Sequence, residues 1–130
     1  MLNENFYQSI DHTAHPFVIV NGSEYQKAAL ITANHDLRPC EQLINGALGL
    51  CGESGECADL VKKCFMQGHQ LDADHIAKEL GDCMWYIALI ADAIGYDLSE
   101  IMQMNIDKLR ARYPEGFAVD RSVNRKKGDI

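Results

Sequence analysis

The clearest pattern in the chain lies between Asp72 and Gly95. Leu80, Met84, Ile87, Ala91 and Ile94 recur there at steps of three and four. That is the apolar stripe of a helix with one face buried. This helix is predicted to start near Asp72 or Asp74 and to stop at Gly95. A following helix opens on Asp97-x-x-Glu100, a capping-box spacing. It directs Ile101, Met104 and Leu109 inward and ends near Tyr113, because Pro114 disfavours helix in the residue before it. Upstream, Ser23-x-x-Gln26 fits a capping box for a short helix from Glu24 to about Asn34. Pro39 opens a long helix that continues to about Gln67, with Gly68 as its stop.

Gly46, Gly49, Gly52 and Gly55 recur every third residue inside that long helix. Each glycine costs a helix about 0.5–1 kcal/mol relative to alanine. Either the helix bends or another chain segment approaches it closely there, or residues 45–52 form a loop. Residues 1–22 read as an irregular lead-in, in which Phe17–Val20 is a short strand or a packed extended arm. Residues 115–130 read as a basic tail carrying Arg121, Arg125, Lys126 and Lys127, mobile or docked on a neighbour. The expected fold is all-α, a single domain of four main helices in a bundle. Its several apolar helix faces and glycine-rich helix point to association.

Length and composition narrow the field. At 130 residues one core suffices, and 47% hydrophobic with 24% charged residues is an ordinary globular balance. A net charge of −7 argues against a nucleic-acid partner, which needs a basic face. No apolar run reaches the length of a membrane span, and the first residues have neither the basic nor the apolar region of a signal peptide. A cytoplasmic location with no membrane partner follows as the expectation. Cys40, Cys51, Cys57, Cys64 and Cys83 are odd in number and contain no C-x-x-C pair. They read as reduced, buried thiols that pack as small apolar residues.

The candidate chemistry is acidic. Glu53-x-x-Glu56 and Glu79-x-x-Asp82 each place two carboxylates on one helix face. Alone, such a pair is a weak signal, since Glu56/Asp59 and Asp97/Glu100 share the spacing. The context distinguishes the first two, which border small and apolar residues and so face a neighbouring helix. Four carboxylates gathered there would repel one another and raise their own pKa values. Divalent cations would balance that charge, and all-oxygen ligands suit Mg²⁺, with Mn²⁺ as a substitute. A di-iron bundle would need Glu-x-x-His motifs, and the lone match, Asp72–His75, has no partner. His-Glu-x-x-His, a P-loop and a Gly-x-Ser-x-Gly elbow are absent. The five histidines read as surface or capping residues. Trp85 and Tyr86 follow Asp82 closely and either stack a base or pack the core, with the core favoured.

Three segments in order carry a resemblance: LGLCGESGECADLVKK, KELGDCMWYIALIADAIG and NIDKLRARYPEGF. Together they resemble the MazG-like family of nucleoside triphosphate pyrophosphohydrolases, in the all-α NTP pyrophosphatase superfamily. That family's hallmark is E-x-x-E followed by E-x-x-D. Here it is Glu53-x-x-Glu56, twenty-two intervening residues and Glu79-x-x-Asp82. The resemblance spans roughly residues 23–117. It implies conversion of a nucleoside triphosphate and water to monophosphate and pyrophosphate. It implies Glu53, Glu56, Glu79 and Asp82 as Mg²⁺ ligands, and Asn105 and Lys108 as residues facing the substrate. It also implies a homodimer or homotetramer with sites partly shared between chains. Some relatives carry a further Glu directly before the first motif Glu, where this chain has Gly52.

The residues themselves support a compatible mechanism. An anionic triphosphate meets an acidic protein, so Mg²⁺ must mediate. A metal-bound water of lowered pKa would attack the α-phosphorus in line, with a second metal neutralising the leaving pyrophosphate. Glu53 or Glu56 would accept the proton. Lys63 shares a face with Glu56, and Asn105, Lys108 and Arg112 share a face of the last long helix, so these four are candidates for a phosphate clamp. Lys63 could instead pair with Asp59, and Arg112 could cap its helix. Two rivals stand beside this reading. One is a non-catalytic helical module that binds nucleotide or protein, for which four acids are superfluous. The other is a sister enzyme, a dUTPase or a phosphoribosyl-ATP pyrophosphohydrolase, with the same chemistry on another substrate.

Overall fold

Helix α1 (Gly22–Ala29) tightens into a 3₁₀ turn (Leu30–Thr32), and α2 (Pro39–Gln67), α3 (Ala73–Ala93), α4 (Leu98–Arg112) and a short α5 (Val119–Val123) follow. The structure is a computed structural model and describes residues 21–125 and 128. The expected lead-in strand or arm, His12, His15, Lys126 and Lys127 lie outside the described residues. Among those residues the fold is all-α, as expected, with no strand beyond an isolated Pro114–Gly116 bridge. The four main helices are present, and α5 adds one that the tail's composition did not announce.

The long helix α2 starts at Pro39 and stops at Gly68, whose φ of 74° is left-handed, while the His69 N–H reaches back to the Lys63 carbonyl at 3.2 Å. It is unbroken through its glycines, so the alternative loop over residues 45–52 does not form. The reason is close packing against α3. A Cβ at Gly46 would lie 2.6 Å from Ile90 Cγ1, and one at Gly49 would lie 2.2–2.6 Å from three ring carbons of Tyr86. A Cβ at Gly52 or Gly55 would meet nothing within 4 Å. The first two glycines therefore set the α2–α3 seam, and the last two do not take part in it.

Helix α1 begins earlier than Ser23-x-x-Gln26 predicts. The capping box is Asn21-x-x-Glu24: Asn21 Oδ1 accepts from the Glu24 N–H at 2.9 Å, and the Glu24 carboxylate accepts from the Asn21 N–H at 3.4 Å. Ser23 and Gln26 are used in tertiary bonds instead. The Ser23 hydroxyl donates to Asp97 Oδ1 at 2.6 Å. Buried Gln26 accepts from the Leu98 N–H at 2.9 Å and donates to the Tyr96 carbonyl at 3.1 Å. These bonds pin α1 across the connection between α3 and α4. The α-helix also ends short of Asn34. The Ala29 carbonyl, which a longer helix would use, accepts instead from the Thr32 hydroxyl at 2.8 Å and from Trp85 Nε1–H at 3.0 Å.

The Asp97 capping box of α4 forms as expected, with Glu100 as its second member. The buried faces do not follow the sequence pattern. The buried apolar residues are Cys83, Ala88, Leu89, Ala91 and Leu98. Of the stripe predicted for α3, Ala91 is buried, but Leu80, Met84, Ile87 and Ile94 are exposed. Met104 and Leu109 on α4 are exposed too. Helix α3 meets α2 through Cys83, Tyr86 and Ile90 and turns Trp85 and Ala88 to α1. Apart from Ala91, the apolar stripe stays uncovered among the described residues.

Candidate metal centre and adjoining pocket

The α2–α3 seam brings three of the four hallmark acids together. Glu53 from α2 and Glu79 and Asp82 from α3 each offer a carboxylate oxygen, and these oxygens lie within 4.8 Å of one another. Partial burial raises the pKa of Glu53; a hydrogen bond with Glu79 and the negative charges of Asp82, Glu79 and Glu56 push it the same way. Two carboxylates can share a hydrogen bond only when one holds a proton. Like charges this close repel, and either a proton or a cation relieves the repulsion. An all-carboxylate donor set fits a hard divalent cation such as Mg²⁺ or Mn²⁺.

Glu56 stands one turn further along α2. It is exposed and outside the group of three, although its charge is felt at Glu53 and at Lys63. Glu79 has a second partner, His75, whose Nε2 lies 2.9 Å from Glu79 Oε1. His75 sits one turn before Glu79 on α3, and its backbone N–H bonds the capping residue Asp72 at 2.9 Å.

A pocket of about 410 Å³ opens beside the acids, lined by Thr32, Glu53, Asp82, Trp85 and Tyr86. The Trp85 indole is fixed by its Nε1–H, which donates to Thr32 Oγ1 at 2.9 Å as well as to the Ala29 carbonyl. Tyr86 meets it edge to face, with ring centres 5.0 Å apart and planes at 89°. Gly49 makes room for the tyrosine ring. The two aromatic residues are thus half-buried packing residues that also line a cavity next to the carboxylates.

The candidate clamp residues are placed elsewhere. Lys63 pairs with Asp59, which Lys62 also contacts, and the two ammonium groups pull the Asp59 pKa down to about 2. Asn105 and Lys108 are exposed on α4, which packs on α1 and α3. The Arg112 guanidinium lies 5.9 Å from the centre of the Tyr113 ring. None of these four lines the pocket. The five thiols are free, as expected, but only Cys83 is buried; Cys40 and Cys51 are exposed and Cys57 and Cys64 half-buried, because α2 turns most of its surface away from α3. Cys83 lies 3.7 Å from the Ser54 hydroxyl.

Sequence reasoning missed Thr32 and His75. Nothing local marks Thr32, which reaches the pocket only because α1 folds across α3. His75 had a signal: it lies four residues before Glu79, on the same helix face.

A family model described as the MazG nucleotide pyrophosphohydrolase domain matches residues 44–117, which contain the hallmark acids and Asn105, Lys108 and Arg112. The chain belongs to the MazG family. It is also similar to the "Gene 37 protein" of Mycobacterium phage L5, at 37% identity over 109 residues, covering 78% of this chain and 96% of that protein. No solved structure matches it. The MazG segment runs from within α2 to just beyond α4, so the α2–α3 seam and its carboxylates lie inside the matched region. Among the described residues no helix is long and apolar enough to cross a membrane.

Proposed function

We propose that this MazG-family protein hydrolyses (deoxy)nucleoside triphosphates to monophosphate and pyrophosphate in a Mg²⁺-dependent reaction. The observation that carries this reading is the juxtaposition of three converging carboxylates and an aromatic-walled pocket. Glu53, Glu79 and Asp82 would hold the cation, with Glu56 extending the set from the next turn of α2. Bound Mg²⁺ supplies charge neutralisation for the phosphate oxygens and lowers the pKa of water. Glu56, exposed and outside the group of three, has oxygens free to accept a proton from water attacking the α-phosphorus. Trp85 and Tyr86 offer faces on which a base can stack, while Thr32 and the tyrosine hydroxyl offer hydrogen bonds to base or sugar. Lys63, Asn105, Lys108 and Arg112 remain the proposed phosphate contacts.

The apolar residues left uncovered on α3 and α4 favour a homodimer or homotetramer. The proposed cationic contacts, none of which lines this pocket among the described residues, can then reach it from another chain. Reduced thiols and a triphosphate substrate fit a cytoplasmic setting. Incubation with Mg²⁺ and each of eight common NTPs and dNTPs, with anion-exchange separation of products, tests the reading. The expected products are monophosphate and pyrophosphate, lost in Glu79→Gln and in Glu56→Gln. Diphosphate plus phosphate would overturn the proposed point of attack. Turnover of one substrate alone would indicate a sister specificity. Nucleotide binding without turnover would indicate the binding module.

A further inference from the structure

We infer that His75 is a positioning residue for the carboxylate centre: its imidazole pairs with one oxygen of Glu79 and so fixes the carboxylate against Glu53 and Asp82. This rests on the metal-binding part of the proposed function and extends it to a residue outside the hallmark. Nε2 lies 2.9 Å from Glu79 Oε1, in direct polar contact with the carboxylate. The Glu79 side chain is 13% exposed and the His75 side chain 49% exposed. The imidazole therefore approaches from the solvent side, while the acid turns into the seam. A free glutamate carboxylate rotates through several orientations. One anchored at a single oxygen presents the other without that loss of freedom. One oxygen from each acid is enough to bring the three groups within 4.8 Å of one another. Groups that hold a ligand from behind in this way typically change metal affinity by about 10–100-fold when removed.

The arrangement arises from local sequence. Asp72 caps α3 and fixes the first turn, and His75 and Glu79 then fall at i and i+4 on one face. The His75 side chain takes no part in the cap, which uses its backbone N–H. Alanine favours helix more than histidine does. Removal of the imidazole should therefore leave the metal-free fold intact, which separates positioning from a structural role.

The test is calorimetric titration of nucleotide-free protein with Mn²⁺, followed by Mg²⁺ competition, on wild type, His75→Ala, His75→Gln and Glu79→Gln. Thermal melts in EDTA accompany each variant. The expected result is about tenfold weaker binding in His75→Ala, with an EDTA melting temperature at or above wild type. His75→Gln, which keeps a donor at similar reach, should recover affinity to within about threefold of wild type. At saturating Mg²⁺ the turnover of His75→Ala should approach wild type, the loss appearing in the metal concentration required. Equal affinity in wild type and His75→Ala, with Glu79→Gln impaired, would overturn the role of His75 and leave the metal centre standing. Failure of wild type to bind either metal would overturn the centre itself, and this inference with it.

Discussion

Gly49 and Gly52 sit one turn apart on α2, and alanine should have opposite effects at the two positions. In a helix interior alanine is favoured over glycine by about 1 kcal/mol. At Gly52 a Cβ meets nothing within 4 Å, so Gly52→Ala should stabilise by about 0.5–1 kcal/mol. At Gly49 the same methyl would land 2.2, 2.3 and 2.6 Å from Cε1, Cζ and Cδ1 of Tyr86. Carbon contacts relax to about 3.5–4 Å, so ring or helix must give way by roughly an ångström or more. The ring cannot fold aside, because it is rigid and packs edge-on against Trp85. Overpacking of this kind costs about 1–3 kcal/mol. The propensity gain is common to both variants, so the stability gap between them measures the overpacking directly. Urea unfolding with a shared m-value, followed by fluorescence of the single tryptophan, reads both numbers, since Trp85 lies beside the displaced ring. Gly49→Ala should also shift native emission and weaken nucleotide binding. Equal stability of the two variants with unchanged emission would refute the close α2–α3 seam. A destabilised Gly52→Ala would mean that another surface packs on that face, and its stability should then depend on protein concentration.

Mg²⁺ at one hundred times its dissociation constant should stabilise wild type by about 2.7 kcal/mol, and Glu79→Gln should abolish the shift in a thermal melt. The pKa of Glu53 is raised, so between its ordinary and its raised value the native state binds more proton than the unfolded chain does. In EDTA its contribution to stability should fall as pH rises from the ordinary glutamate range through the raised value, and Mg²⁺ should reverse the loss at neutral pH; a flat difference between EDTA and Mg²⁺ melts from pH 4 to 7 would count against the cluster. Asp59 behaves oppositely: held at about 2 by its lysines, its contribution is present above the usual Asp value and fades as pH falls towards 2, a dependence that Asp59→Asn should remove. Gln26→Leu leaves the buried Leu98 N–H without its acceptor and should destabilise by about 1–3 kcal/mol in urea. Trp85→Phe keeps a ring but loses the indole donor to Ala29 and Thr32, and should raise KM for nucleotide more than it lowers kcat.

Much of the fold was legible because its signals are local. Pro39, Gly68 and the Asp97 box act within one turn, and the structure uses all three. The direction of burial was not legible, because it depends on which helices meet. The stripe of Leu80, Met84, Ile87 and Ile94 has the period of a covered face, yet α2 and α1 pack beside it. Ser23 and Gln26 show the same limit from the polar side. Their spacing suits a cap, but both side chains are drawn to Asp97 and Leu98, more than seventy positions away. No local rule distinguishes these two uses of a hydroxyl and an amide.

The hallmark acids illustrate how spacing and packing divide the work. An i,i+3 pair lies on one helix face, but its members are separated by about 60° around the axis and about 4.5 Å along it. Where a second helix crosses, both members can point into the seam only if it runs past them closely. Glycine at positions 46 and 49 allows that approach one to two turns before Glu53, where the ring of Tyr86 and the side chain of Ile90 fill the space of a missing Cβ. Beyond Glu53, a Cβ at Gly55 would meet nothing within 4 Å, and Glu56 stands exposed. The two helices thus hold Glu53 against both acids of α3 and leave Glu56 facing solvent. The pair is symmetric in sequence and unequal in the fold, which is why the proposed function has Glu53 hold the cation within the group of three and Glu56 accept the proton.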